Sequence, residues 1–139
     1  MKYILPMIDL HLHLDGSLSM AAVIKMAEMS GVELPTTDSN KLEKLLKCPE
    51  NCENLNEYLA RFEIPLLVMQ TKETIQYAVY DLVKRLEEQR LLYAEIRFAP
   101  QLHLERGLTQ EQVVESALRG LNDALAETDI KAQLILCCM

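Results

Sequence analysis

Two imidazoles two positions apart, His11 and His13, are the groups in this chain best suited to chemistry, and they run directly into Asp15 and Gly16. Over residues 8–14 the apolar Ile8, Leu10, Leu12 and Leu14 share one parity, while Asp9, His11 and His13 share the other, which Asp15 continues. Side chains alternate faces along a strand, so this pattern predicts a β-strand with both imidazoles on one face, roughly 7 Å apart at their bases. Two neutral imidazoles so placed can close on one divalent ion, with Zn–N bonds of about 2.0–2.1 Å. A His-x-His pair also occurs as ordinary polar cover on a solvated sheet face, and the tripeptide alone does not separate the two readings. The aliphatic opposite face and the break at Asp15 and Gly16 favour a site at the carboxyl end of a strand, where α/β barrels keep their chemistry. Gly16, lacking a Cβ, lets the backbone come close to a ligand.

Other groups carry plainer readings. Leu55, Tyr58, Leu59 and Phe62 recur at helical spacing, which on pattern alone is a buried stripe. Glu95 and Arg97 share a parity with Tyr93 and Ala99, and charges facing a sheet interior need partners or cost several kcal/mol each. They read as a structural ion-pair network, satisfied locally or across to Asp9. His103 lies past Pro100 beside Glu105 and Arg106, which predicts a solvated loop side chain rather than a metal ligand. Cys48 and Cys52 form a pair with no second pair at zinc-finger spacing, so no structural zinc is expected there. Cys137 and Cys138 are adjacent on an apolar strand and should face opposite sides, one packed in a core and the other against a helix.

The elements that must hold these groups form βα units. Ser19 predicts an N-cap for a helix running to about Ser30, stopped by Gly31. Residues 32–65 read as a helical insert, with a short helix over 41–47 and the pattern from Leu55 interrupted at Pro65. Ile75, Ala78, Val79, Leu82, Val83 and Leu86 make one amphipathic face. A second strand is expected over about 91–99. Thr109 and Gln112 form a capping-box pattern ahead of Val113, Val114, Ala117, Leu118, Leu121 and Leu125. A third strand is expected over 132–138, and this alternation is the signature of a parallel sheet.

The chain of 139 residues carries a net charge of −7, which excludes nucleic-acid backbones and anionic membrane surfaces as partners. It is 50% hydrophobic and 25% charged, like ordinary globular chains. No apolar run approaches the ~20 residues that span a bilayer, and the start, broken by Pro6, does not read as a secretory signal. The four cysteines are then expected to be reduced, in the cytoplasm.

The stretch His11-Leu12-His13-Leu14-Asp15-Gly16-Ser17-Leu18 resembles the first-strand motif of the adenosine deaminase family of metal-dependent amidohydrolases. Glu95-Ile96-Arg97-Phe98-Ala99-Pro100 is similar to the family's second strand, and Leu136-Cys137-Cys138-Met139 to its third. The resemblance implies zinc-dependent hydrolytic deamination of adenosine to inosine, with His11 and His13 as zinc ligands and His13 also beside the substrate. It implies that Asp15 accepts a hydrogen bond from the ribose 5′-hydroxyl, that Gly16 leaves room for the sugar, and that Leu55, Tyr58, Leu59 and Phe62 form an apolar lid over a purine nucleoside. Tyr58 departs from the family's more usual Phe. Adenine-deaminase relatives usually carry Glu at the Asp15 position, which leans the choice toward the nucleoside. The family's other zinc ligands and its Glu proton shuttle fall on later strands, so none of the catalytic acid–base groups is expected within residues 1–139.

A (β/α)8 barrel needs eight strands and ~250 residues. The expected fold class is therefore α/β, the amino-terminal portion of a TIM-type barrel with about three βα units, spanning residues 1–139 as a partial deaminase domain that is inactive alone. A bare third strand would expose a sheet edge and favour self-association. Two alternatives stand beside this reading: a related deaminase acting on adenine or a modified adenine nucleoside, and a non-catalytic α/β module that works by binding or assembly.

Overall fold

The computed structural model describes residues 7–49 and 51–138. The period-two pattern at the start gives strand β1 (Met7–His13), which leads through a short 3-10 turn (Asp15–Ser17) into helix α1 (Met20–Ser30). Ser19 caps α1 by accepting the Ala22 amide at 3.0 Å, and Gly31 ends it in the left-handed conformation at φ 67°. The insert holds α2 (Ser39–Leu46), α3 (Leu55–Leu59), a 3-10 turn (Ala60–Phe62) and α4 (Glu63–Val68). Pro65 does not break a helix. It sits in the first turn of α4, where amides lack intrahelical acceptors and a missing N–H costs nothing.

The long helix α5 (Lys72–Glu88) leads to β2 (Leu91–Phe98), and α6 (Gln110–Leu125) to β3 (Lys131–Leu136). Both helices begin with a reciprocal capping box, Thr71 with Thr74 and Thr109 with Gln112. The three strands are parallel in the order β1-β2-β3. Strand β1 starts and ends one residue earlier than its pattern predicts. Strand β3 stops at Leu136 because β2 stops at Phe98; the Cys137 amide still reaches the Phe98 carbonyl at 2.9 Å, and nothing follows it but Ala99 and Pro100. Cys137 and Cys138 therefore lie past the strand, one half-buried and one exposed, and neither occupies the core position expected of them. Met139, the last residue of the third motif, falls outside the described residues, as does the segment before Met7.

The core lies between the face of β2 that bears Ala94, Ile96 and Phe98 and the helices α1, α5 and α6. All six residues of the expected α5 face are buried. Burying each such aliphatic side chain contributes about 1.5–3 kcal/mol. In α6 the buried stripe is Val113, Ser116, Ala117, Gly120, Leu121 and Ala124, whereas Leu118 is exposed. The stripe is rotated toward small residues because α6 presses against α5 there: a Cβ at Gly120 would overlap the carbonyl oxygen of Gln76. Along the contact, Gln76 donates to Asp123 at 2.8 Å and the Tyr80 hydroxyl to Glu127 at 2.7 Å. No helix among the described residues is long and apolar enough to cross a membrane.

The close approach at Gly120 yields a sign test. Helix propensity alone favours Ala over Gly by about 1 kcal/mol. The overlap with Gln76 backbone opposes it, so Gly120→Ala is expected to lower stability by about 1–3 kcal/mol in urea unfolding. A variant as stable as its parent would mean that the two helices are not so close.

Candidate active site

β1 does not pair evenly with β2. Asp9 lies opposite Ala94 and Leu12 opposite Ile96, so β1 holds one more residue than its partner in that interval. This bulge takes the Leu10 carbonyl and the His11 amide off the ladder, and both find side-chain partners. The Asp9 carboxylate accepts the His11 amide at 2.9 Å, and Arg97 Nη2 donates to the Leu10 carbonyl at 3.0 Å. Arg97 lies across from His13, and its own carbonyl accepts the Leu14 amide at 2.9 Å. Glu95 accepts the Tyr93 hydroxyl at 3.0 Å. The expected ion-pair network is thus replaced by two separate arrangements: Glu95 is held by a phenol, and Arg97 braces the strand that carries the imidazoles. Arg97 Nε is buried without a partner among the described residues.

Past the bulge the two imidazoles converge. Their ring centroids are 5.3 Å apart and their Nε2 atoms 3.3 Å apart, close enough to share a hydrogen bond whose donor depends on the tautomer. Two nitrogens on a tetrahedral zinc, each bonded at about 2.0–2.1 Å, stand about 3.3–3.4 Å from one another. The pair therefore fits two corners of such a site. Both rings are exposed on the open face of β1, and among the described residues no third His, Cys, Asp or Glu joins them in a metal-binding group.

The 3-10 turn places Asp15 and Gly16 at the carboxyl end of β1. Asp15 Oδ1 accepts the Gly16 amide at 3.0 Å, one residue on rather than two, and the Leu14 carbonyl accepts the Ser17 amide at 3.1 Å. Arg85 of α5 fixes the turn from below by donating to the Ser17 carbonyl at 2.7 Å while holding Asp81 at 2.8 Å. Phe62 lies over Gly16, so that a Cβ there would stand 3.1 Å from the ring. Phe62 and Tyr58 meet edge to face at 5.3 Å, and both line a cleft of about 260 Å3 together with Asp15, Gly16, Cys48 and Arg61. The buried-stripe reading of Leu55, Tyr58, Leu59 and Phe62 fails: the first three are 68%, 44% and 51% exposed, because α3 stands off the core. Arg61, unremarkable in the sequence, donates to the Lys44 carbonyl at 2.9 Å and so joins α2 to this segment.

His103 is the largest departure from expectation. It is 1% exposed rather than solvated, with its ring 5.8 Å from that of Phe98 and its Nδ1 2.9 Å from the Met69 carbonyl. Pro100 starts a 3-10 turn (Pro100–His103) that folds the imidazole inward, and Gln70 clamps it by donating to the Leu66 and Leu102 carbonyls and accepting the Glu105 amide. The neighbouring charges Glu105 and Arg106 masked this in the sequence; only the apolar Leu102 and Leu104 beside it hinted at burial.

The family model described as adenosine deaminase matches residues 6–139. The chain belongs to the adenosine deaminase family. It is 53% identical over 133 residues to an adenosine deaminase of Haemophilus ducreyi, covering 95% of this chain and 39% of that protein. It thus spans about two fifths of the length of the curated relatives it matches. Among solved structures, the adenine deaminase of Arthrobacter aurescens superposes with a TM-score of 0.81 at 26% identity, covering 94% of this chain and 39% of that one. A Burkholderia ambifaria amidohydrolase solved with bound Zn superposes at 0.76 with 17% identity, over 95% of this chain and 35% of its own, which speaks to the fold alone. The parallel α/β sheet is the start of the TIM-barrel deaminase fold.

Burial pushes the His103 pKa below the ordinary imidazole range, outweighing the upward pull of the Met69 carbonyl and of Asp15. A group held neutral by folding binds fewer protons folded than unfolded. Its stability contribution is full above the unfolded pKa of about 6.5 and is lost as the pH falls below it. The urea midpoint is expected to decline from about pH 7.5 to about pH 5.5. A His103→Gln variant should start lower and decline less; equal declines would place the titrating group elsewhere.

Proposed function

We propose that the full-length protein is a zinc-dependent hydrolase that converts adenosine and water to inosine and ammonia. The observation that carries this reading is the 3.3 Å separation of the His11 and His13 Nε2 atoms at the carboxyl end of a barrel-type strand. The 53% identity to a protein named adenosine deaminase supports the substrate, and the spacing of the two imidazoles suits two corners of a tetrahedral zinc site. When bound, zinc supplies a water whose pKa falls to about 7, so that hydrolysis at purine C6 is feasible at neutral pH.

This chain's own residues bind and orient. His11 and His13 would hold the metal through Nε2, with their strand kept in place by Asp9 and Arg97. Asp15, half-buried beside the metal ligands, would accept the ribose 5′-hydroxyl and so fix the sugar over Gly16. Tyr58 and Phe62, which line the cleft, would close over the purine together with Leu55 and Leu59, exposed on the same segment. A second reading, adenine as substrate, draws on the likeness to the Arthrobacter adenine deaminase. Side-by-side turnover of adenosine and adenine by the full-length protein separates the two.

Zinc content and adenosine turnover, measured together, test the metal assignment. His11→Ala or His13→Ala in the full-length protein is expected to abolish both, and residues 1–139 alone, where no third ligand joins the two imidazoles among the described residues, should not turn over adenosine with zinc added. Near-normal zinc and rate in either variant, or turnover by the short chain, would contradict it. Asp15→Ala should lower kcat/KM for adenosine by roughly 10- to 150-fold, the value of a hydrogen bond to a charged group, and barely change the rate with 5′-deoxyadenosine. Equal losses with both substrates would leave Asp15 a role in the turn alone.

A further inference from the structure

A second pair of reactive groups stands at the edge of the same cleft. Cys48 follows directly on Lys47, the C-cap of α2, and its exposed side chain lines the cleft with Asp15, Gly16, Tyr58 and Phe62. The chain then turns back, the Cys52 amide donating to the Pro49 carbonyl at 3.1 Å, which returns Cys52 toward Cys48. Both are free thiols. The Cys52 thiol donates to the Asn54 carbonyl at 3.4 Å, and Asn54 is the N-cap of α3, its side chain accepting the Glu57 amide at 3.0 Å. One thiol thus sits on the rim of the cleft, and the other on the start of the helix that sends Tyr58 into it.

We propose that Cys48 and Cys52 form a reversible dithiol–disulfide modification site, oxidised by small-molecule disulfides, that ties the end of α2 to the N-cap of α3. The thiolate of one cysteine attacks a sulfur of glutathione disulfide, forming a mixed disulfide and releasing one glutathione. The second thiolate attacks the cysteine sulfur of that mixed disulfide, and the other glutathione leaves. Two protein thiols lose two electrons, the S–S bond of the oxidant takes them up, and the two thiol protons end on the two glutathiones. Three residues separate the cysteines, so the second step is intramolecular, at an effective concentration on the order of millimolar or above, and outpaces a second adduct. The Cys52 thiol beside it, and then burial, push the Cys48 pKa up, so exchange through Cys48 quickens as the pH rises into the alkaline range. Ring closure removes the Cys52 S–H from the Asn54 carbonyl, and the redox state is thereby felt where α3 begins. The consequence for a substrate lid rests on the deaminase reading; the disulfide does not.

Peptide mass mapping of the chain after exposure to glutathione disulfide, near the ordinary thiol pKa of about 8.5, tests the site. The expected product is one peptide with both cysteines, lighter by two hydrogens and restored by dithiothreitol, while exposed Cys138 carries a glutathione adduct. In Cys52→Ser, Cys48 should keep its glutathione. Separate adducts on Cys48 and Cys52, or two unmodified thiols once Cys138 is fully modified, would overturn the proposal. Amide exchange at residues 55–57 should change several-fold between the oxidised and reduced chains, and identical rates would overturn the tie to α3. No activity is measured, so failure here is distinct from failure of the deaminase reading.

Discussion

Backbone hydrogen bonding around the bulge in β1 is the constraint on which the candidate site depends. An edge strand with one residue too many leaves a carbonyl and an amide without ladder partners, and such groups cost free energy unless satisfied. Asp9 takes the amide of His11 and Arg97 takes the carbonyl of Leu10, so the bulge is held open in one shape instead of slipping in register. Arg97 grips β1 twice, through its guanidinium at Leu10 and its own carbonyl at the Leu14 amide, on either side of the two histidines. The imidazoles converge because the backbone beneath them cannot relax into an even strand.

The same logic extends to the loops that follow. The turn after β1 carries Asp15 and the turn after β2 carries His103, and each is tied to the helical layer by one polar side chain reaching backbone carbonyls. Arg85 holds the turn after β1 from α5. Gln70, at the foot of α5, uses both ends of its amide to hold the turn after β2, while His103 reaches back to Met69. These buried polar contacts are satisfied, which rigidifies rather than strains the site. The apolar segment from Leu55 to Phe62 has no such anchor in the core, and its exposure follows from that.

Much of this was legible in the sequence where one physical rule dominated. The α1 boundaries followed from Ser19 and Gly31, the α6 start from Thr109 and Gln112, and the α5 face from its periodicity; all are found as read. That His11 and His13 share one face followed from strand parity; the closeness of their rings did not. Features that depend on partners distant in the chain were not legible. A bulge leaves no mark in the parity of one strand, so Arg97 read as half of an ion pair. His103 read as solvated because its burial is decided by Met69 and Gln70, more than thirty residues earlier. Leu118 read as core because an alternating face does not reveal that Gly120 pulls the helix axis toward α5.

Imidazole nitrogen resonances of the chain, followed by NMR during zinc addition, test the central claim most directly. The account predicts that the Nε2 signals of His11 and His13 shift together, at the same zinc ratio, while His103 keeps its Nδ1 proton and its shift. An Arg97→Leu variant, which frees the Leu10 carbonyl, should weaken the paired response without touching His103. Movement of only one of the two imidazoles, or of His103 in place of either, would contradict it.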